Sequence, residues 1–418
     1  MMEQYQIIRI KTHEGLTRFA NSTIHQNVVK DETESAVLYV VDKKKAVLDS
    51  TGTEPDLKVA REIALNSEVN PDFVSLPDAD EAGQPEFKGS FSKDAAQASP
   101  EVRARLVKEI LALCTDKGLQ AAGYLTTGSR ERNIENSLGV KREDRTSFSE
   151  LGITATGAGT GYATATHYDL DHIDVKEIAR EAVETALQNV NQDTIEPGKY
   201  RVLLEPLAVH ELFDFMAWLG FSGRLYDENQ SCFSGMLNKE ITSPLLTFTD
   251  EPIQELPGFG IDIEGVARRR TLLVEKGIFK NVTYDSYSAH MVNKKSTGNA
   301  FSFVVPWGGL PLSINVAAGK TDIADMLHEI KKGLLIKRFW YTRPVDRKSG
   351  ILTGMTRDGT FLVTDGKIDR PVKNLRFQIS LPEILKKIRM VGNTLRLYES
   401  GRFPHLLVDD FAITGMTG

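Results

Sequence analysis

Cysteine is nearly missing from this 418-residue chain, which has only Cys114 and Cys232. That excludes a disulfide framework and fits a reducing compartment. Long apolar runs are missing too. No stretch approaches the roughly 20 residues needed to cross a bilayer, and residues 1–10 lack the apolar core of a signal peptide. Nor is there an excess of positive charge: 51 Lys and Arg stand against 57 Asp and Glu, for a formal net charge of −6. Such a chain has no basic stripe for nucleic acid and no polybasic tract for a membrane surface. Short runs such as Lys43-Lys44-Lys45 and Arg268-Arg269-Arg270 read as solvated surface. Together these absences predict a cytoplasmic protein with neither nucleic acid nor membrane as partner.

What is present is ordinary globular composition, 41% apolar and 26% charged, in a chain too long for a single core. Four stretches can be separated. Residues 1–70 alternate apolar and polar positions (Ile8, Ile10, Leu16, Phe19, Val37, Tyr39, Val41) as an antiparallel meander, then show helical spacing near Asp56–Ser67. Residues 71–99 hold Pro71, Pro77 and Pro85 among acidic and small residues, which reads as a linker or surface excursion. Residues 100–196 open with a helix at Pro100 that stops at Gly118. Strands follow, then the glycine run Gly157, Gly159, Gly161, and a helix from Asp174 to Asn189. Pro197-Gly198 marks the start of the last stretch, 197–418. It reads as a strand from Tyr200 to Leu204, a helix from Pro206 to Leu219, and then mostly strand and turn. Helices are expected at Thr321–Lys332 and Ser380–Met390, and a hairpin signal stands at each of Asp358-Gly359 and Asp365-Gly366. The fold class is α+β, with antiparallel sheets and packed helices in two lobes.

Within the first half, the segment Arg18–Ser22 resembles Arg132–Ser137. The helices that follow, Asp56-Leu-Lys…Ala60-Arg-Glu62 and Asp174-Val-Lys…Ala179-Arg-Glu181, resemble each other at nearly the same offset. This pattern fits an internal duplication whose first copy lacks the leading helix, and so a shortened N-terminal unit.

The chemistry-bearing candidate is His210-Glu211 on the helix after Pro206. Zinc hydrolases pair a histidine ligand with a glutamate that takes the proton from metal-bound water, and a second histidine one turn on completes the face. Here position i+4 is Asp214, which can offer oxygen, and i+5 is Phe215, which cannot ligate. A lone His-Glu pair by itself reads as a hydrogen-bonded histidine near a helix start. The glycine run could cradle phosphate but does not open a helix, so a tight bend is the better reading. Cys232 has no local activating pattern. Ser296-Thr297-Gly298-Asn299 is a polar turn that could line a substrate groove.

A succession of landmarks then appears in order: Val209-His210-Glu211, Ser231-Cys-Phe-Ser-Gly235, Thr249-Asp250-Glu251, Asp262-Ile-Glu264-Gly265-Val266, Leu273-Val-Glu275-Lys-Gly277-Ile278, Ser296–Ala300 and Lys332-Gly333-Leu-Leu-Ile. It resembles the TldD/PmbA family of metallopeptidase-related proteins, once called modulators of DNA gyrase. The resemblance implies a two-lobed dimer. In its TldD branch, an H-E-x-x-x-H helix and a C-terminal cysteine bind a catalytic metal that cleaves unfolded or small peptides. The PmbA branch lacks those ligands and serves as the partner subunit. On that pattern His210 and Glu211 fall on the first histidine and the glutamate. Phe215 occupies the second histidine position, and Val391-Gly392-Asn393 replaces the cysteine. The expectation is therefore a metal-free peptide-binding protein that pairs with itself or with a metal-bearing TldD-like relative. The alternative is a zinc metallopeptidase in which His210 is a ligand and Glu211 the general base, helped by Asp214 and by His290 or His405.

Overall fold

A computed structural model describes residues 2–52, 54–305 and 307–416. The N-terminal lobe is one six-stranded sheet built from β1 (Glu3–Ala20), β2 (Thr23–Val41), β3 (Lys44–Thr51), β4 (Gln120–Asn136), β5 (Lys141–Thr156) and β6 (Thr160–His167). Their order is β3-β2-β1-β4-β5-β6, with every neighbour antiparallel. Each meander is followed by a helix. Leu57–Leu65, capped by Asp56, places Ala60 and Ala64 on Val37, Tyr39 and Ala46. Val175–Gln188, capped by Asp174, places Ala179, Ala182 and Ala186 on Leu151, Ile153 and Ala163. Because β1 and β4 pair antiparallel at the centre, the two halves are related as the sequence repeat predicts. The repeated Asn-Ser dipeptides both stand at hairpin turns, with Asn21 and Ser22 at positive φ. Residues 1–70 and 100–196 thus share a single sheet.

The stretch 71–99 is not loose. It folds into the short helices Ala79–Ala82 and Lys93–Ala96 and buries Phe73, Leu76, Ala82, Ala95 and Ala96. Apolar residues placed between its prolines pin it into the seam between the lobes.

In the C-terminal lobe, strand Gly198–Leu204 pairs with Lys332–Asp346 on one side and Gly401–Met416 on the other. Ile351–Thr364 and Leu375–Ser380 complete the circuit, so the five strands close into a ring. Helix Pro206–Phe221 packs against it, burying Val209, Leu212, Phe213 and Met216 in the largest core. Some expected elements differ here. Asp365-Gly366 is a hairpin turn, whereas Asp358-Gly359 lies inside the continuous strand Ile351–Thr364, at a register shift against Lys332–Asp346. The positive φ at both residues serves a bulge rather than a reversal. The two predicted helices are cut to Ile323–His328 and Leu381–Lys386, because strand pairing takes the chain from Lys332 and from Ile388. Among the described residues, no helix is long and apolar enough to cross a membrane.

Candidate functional site

The Pro206–Phe221 helix starts at Pro206, whose ring presets the first turn. It is apolar around most of its circumference, and the remaining stripe carries His210, Glu211, Asp214, Phe215 and Trp218. The His210 ring stacks on Tyr398 (5.3 Å between centroids) and leans on Phe403. Its Nε2 is 3.2 Å from Asp214 Oδ2, although the two are not aligned as a hydrogen bond. The other Asp214 oxygen takes the Ser400 hydroxyl. Burial raises the Glu211 carboxyl above its ordinary value, an effect opposed by the Thr342 hydroxyl and by Arg338. His210 faces a small cavity of about 460 Å³ bounded by Tyr124, Glu150, Tyr162 and Thr166 of the other lobe. Burial holds the Tyr124 and Tyr398 phenols above their ordinary range, so both stay protonated beside the Glu150 and Glu399 carboxyls.

A catalytic zinc needs about three protein ligands. Among the described residues, no group of three or more His, Cys, Asp or Glu is placed to hold a metal ion. Phe215 packs on the C-terminal core, and Val391 is buried opposite Leu406. His290 bonds Glu81 at 2.8 Å instead, on the inter-lobe seam. His405 lies beside Gly392, where desolvation, with Arg396 and Lys337 nearby, drives its pKa down to about 4. Neither histidine joins His210. As arranged, these side chains do not fit a zinc centre.

The polar groups of the Ser296–Asn299 turn, expected to line a groove, are engaged in hydrogen bonds within the fold. Ser296 and Asn299 are buried. Ser296 donates to the Tyr284 carbonyl, Thr297 Oγ1 receives the Tyr284 N–H at 2.8 Å, and Asn299 donates to Asp250 at 2.7 Å. Gly298 holds φ +77°, with the Ala267 carbonyl 2.4 Å from where a Cβ would sit. The turn is a brace. The glycine run is likewise structural. A Cβ on Gly161 would lie 2.1 Å from the Ala182 carbonyl, so the glycines admit helix Val175–Gln188 onto β6. Desolvation pushes the Cys232 thiol up to about 12, away from nucleophilic use.

What the sequence reading missed is a buried polar seam. Asp250 Oδ1 accepts the Leu312 and Ser313 N–H groups, and Arg268 lies 3.7 Å away. Arg268 is itself buried, so the Arg268–Arg270 run is not simply solvated surface: the acids of this seam draw its first residue inward. Asp262 accepts the N–H groups of Glu264, Val266 and Ala300. Glu264 accepts both the N–H and the hydroxyl of Ser286. The available signal was local: Asp-x-x-Gly, with Gly265 at φ +79°, is a side-chain-stapled turn.

Comparison with known proteins places this geometry. The family model of the PmbA/TldA metallopeptidase C-terminal domain matches residues 197–415, more than half of the chain. The chain belongs to the PmbA/TldD family. The model of the family's central domain matches residues 93–190. A metalloprotease TldD homolog of Buchnera aphidicola subsp. Acyrthosiphon pisum is 29% identical over 312 residues, covering 72% of this chain and 62% of the relative. Metalloprotease PmbA of Escherichia coli O157:H7 is 27% identical over 183 residues, 43% of this chain and 38% of the relative. The chain therefore spans less than two thirds of the length of these curated relatives. In fold it is similar to TldE from Thermococcus kodakarensis, with TM-score 0.87 and 21% identity over 99% of this chain and 97% of that one. A Thermotoga maritima protein named for a proposed role as modulator of DNA gyrase gives TM-score 0.84 and 19% identity, over 99% and 96%.

Proposed function

We propose that this member of the PmbA/TldD family is a metal-free, peptide-binding subunit in peptide proteolysis or maturation, pairing with itself or with a metal-bearing relative. The supporting observation is the pair of apolar residues Phe215 and Val391 at the positions where the resemblance puts ligands, beside a His210 ring stacked on aromatic neighbours. One imidazole is too few for a tight zinc site. A peptide would add as a strand to a sheet edge, where backbone hydrogen bonds tolerate varied side chains, and β3 and β6 are the edges of the N-terminal sheet. The deciding experiment is elemental analysis of the purified protein. Stoichiometric zinc would overturn the reading, and zinc-free protein that still binds unfolded peptide would support it.

A second reading has one observation in its favour: His210 and Asp214 stand one turn apart and 3.2 Å from each other, next to a Glu211 carboxyl raised towards neutrality. In it Glu211 is the general base of a divergent metallopeptidase. Peptide cleavage that is lost both with chelator and in Glu211→Gln would put this reading in place of the first. A DNA-directed role has nothing behind it in this acidic chain.

A further inference from the structure

A second cavity lies away from His210, in the seam between the lobes. It encloses about 770 Å³ when the space open to solvent is counted, room for a small ligand that is partly exposed. Its walls come from both lobes and from the 71–99 stretch. Leu38, Phe73, Leu76 and Phe303 form the apolar part, Lys45 and Arg224 the cationic part, and Glu264 and Asp285 the acidic part.

The charges are unevenly matched. Lys45 donates to the Phe303 carbonyl at 3.2 Å, and among the described residues no carboxylate lies within ion-pair distance of its ammonium. Desolvation, and then repulsion from Arg224, hold that ammonium below its ordinary value against the weaker attraction of Asp285. Arg224 spends its Nε on Glu228 at 2.8 Å and lays its guanidinium over the Tyr287 ring. Two cations therefore repel each other at one wall of a partly apolar cavity, and an anion between them removes that repulsion. On the acidic side Glu264 is 7% exposed, and its Oε2 takes both Ser286 bonds. Asp285 Oδ1 caps the Ser286–Met291 helix. The Asp285 carboxyl therefore has one oxygen engaged at the helix start, through Oδ1.

We propose that this cavity binds a free carboxylate next to an apolar side chain, as in the C-terminal residue of a short peptide or a free apolar amino acid. Lys45 and Arg224 hold the carboxylate, the Leu38–Phe73–Leu76–Phe303 wall takes the side chain, and Asp285 receives the N–H donor. The proposal does not depend on whether a metal binds at His210, and its probes need not be cleaved.

The test is calorimetric titration of the full chain with L-phenylalanine, glycyl-L-phenylalanine and glycyl-L-phenylalaninamide, alongside melting curves. Saturable binding of at least one of the two acids is expected, with at least about tenfold weaker binding of the amide. Binding of L-phenylalanine alone points to a free amino acid, and binding of the dipeptide to a peptide terminus. Lys45→Met and Arg224→Gln each lower the affinity at least about tenfold, whereas Lys45→Arg keeps most of it. The Lys45 side chain reaches solvent, so its replacement leaves the unliganded melting temperature near that of the parent. No saturable binding of either acid, equal binding of acid and amide, or full affinity in folded Lys45→Met overturns the proposal.

Discussion

The His210 helix face and the Asp250–Asp262–Glu264 seam are both polar islands in apolar surroundings, yet they are built on opposite lines. His210 is held by aromatic rings, and its one close polar neighbour, Asp214, is misaligned for a hydrogen bond. In the seam, Asp250 and Asp262 receive backbone N–H groups from several separate loops, which fixes their position tightly. A buried charge needs such partners, because an unsatisfied one costs several kcal/mol. The helix face can therefore change its residues at low cost to the fold, and the seam cannot.

The largest expected effect tests that contrast directly. Asp250→Ala strands the Leu312, Ser313 and Asn299 donors and leaves Arg268 buried without its acid. It should cost about 3–5 kcal/mol in urea unfolding, against about 1 kcal/mol for His210→Ala. Equal costs would erase the distinction between the two regions. Next comes Gly298→Ala, which forces a side chain into φ +77° against the Ala267 carbonyl. A loss of about 2 kcal/mol is expected, read by the melting temperature, and an unchanged value would remove the brace from the account.

The seam should also respond to pH. Desolvation raises Asp262 to about 7 and Glu264 well above its ordinary value, so the folded state holds protons that the unfolded chain has lost. The bond to Glu81 raises His290 above its ordinary value as well. All three contributions are fully present below the unfolded-state values and are lost as pH rises through the folded ones. Stability should therefore fall as pH rises from the unfolded carboxylate values of about 4 through about 7, where Asp262 loses its proton in the folded state. Glu264→Gln should flatten that slope, measured as denaturant midpoints at about pH 5 and about pH 7. A slope as steep as the parent's would show that Glu264 is not one of its sources. The last comparison is read by metal binding and not by stability, in a variant that places a histidine and a cysteine where the resemblance puts ligands. Phe215→His with Val391→Cys should bind zinc measurably, and each single variant should bind it far more weakly. Zinc binding by the unaltered chain at the same level would break the comparison from the other side.

Much of the fold could be read from periodicity and caps. Asp56 and Asp174 each cap the helix that begins there, Pro100 opens the one between them, and the repeated Arg…Asn-Ser segments foretell the symmetric sheet. Local signals failed where pairing partners lie far away in sequence. Nothing near Asp358-Gly359 tells a bulge from a turn, because the strand it bulges against begins at Lys332. At the site, the residue types at 210, 211, 214 and 215 were legible, but the aromatic setting was not. Tyr398 and Phe403 reach His210 from two strands almost 200 residues on. Arg268 misled for the same reason, since Asp250 and Ser313 determine its burial. The Ser296–Asn299 turn was judged by its polarity, and polarity here serves internal hydrogen bonds.

The closed ring of the C-terminal lobe has a consequence for how the chain is made. Strand Gly198–Leu204 takes its neighbours from Lys332–Asp346 and Gly401–Met416, more than a hundred and about two hundred residues later. During synthesis, the apolar strand that opens this lobe leaves the ribosome with neither neighbour yet available, while the antiparallel meanders ahead of it can already pair locally. The lobe that carries His210 therefore waits, partly unpaired, until its final strand emerges, and during that interval its open strand edges are exposed to wrong pairing.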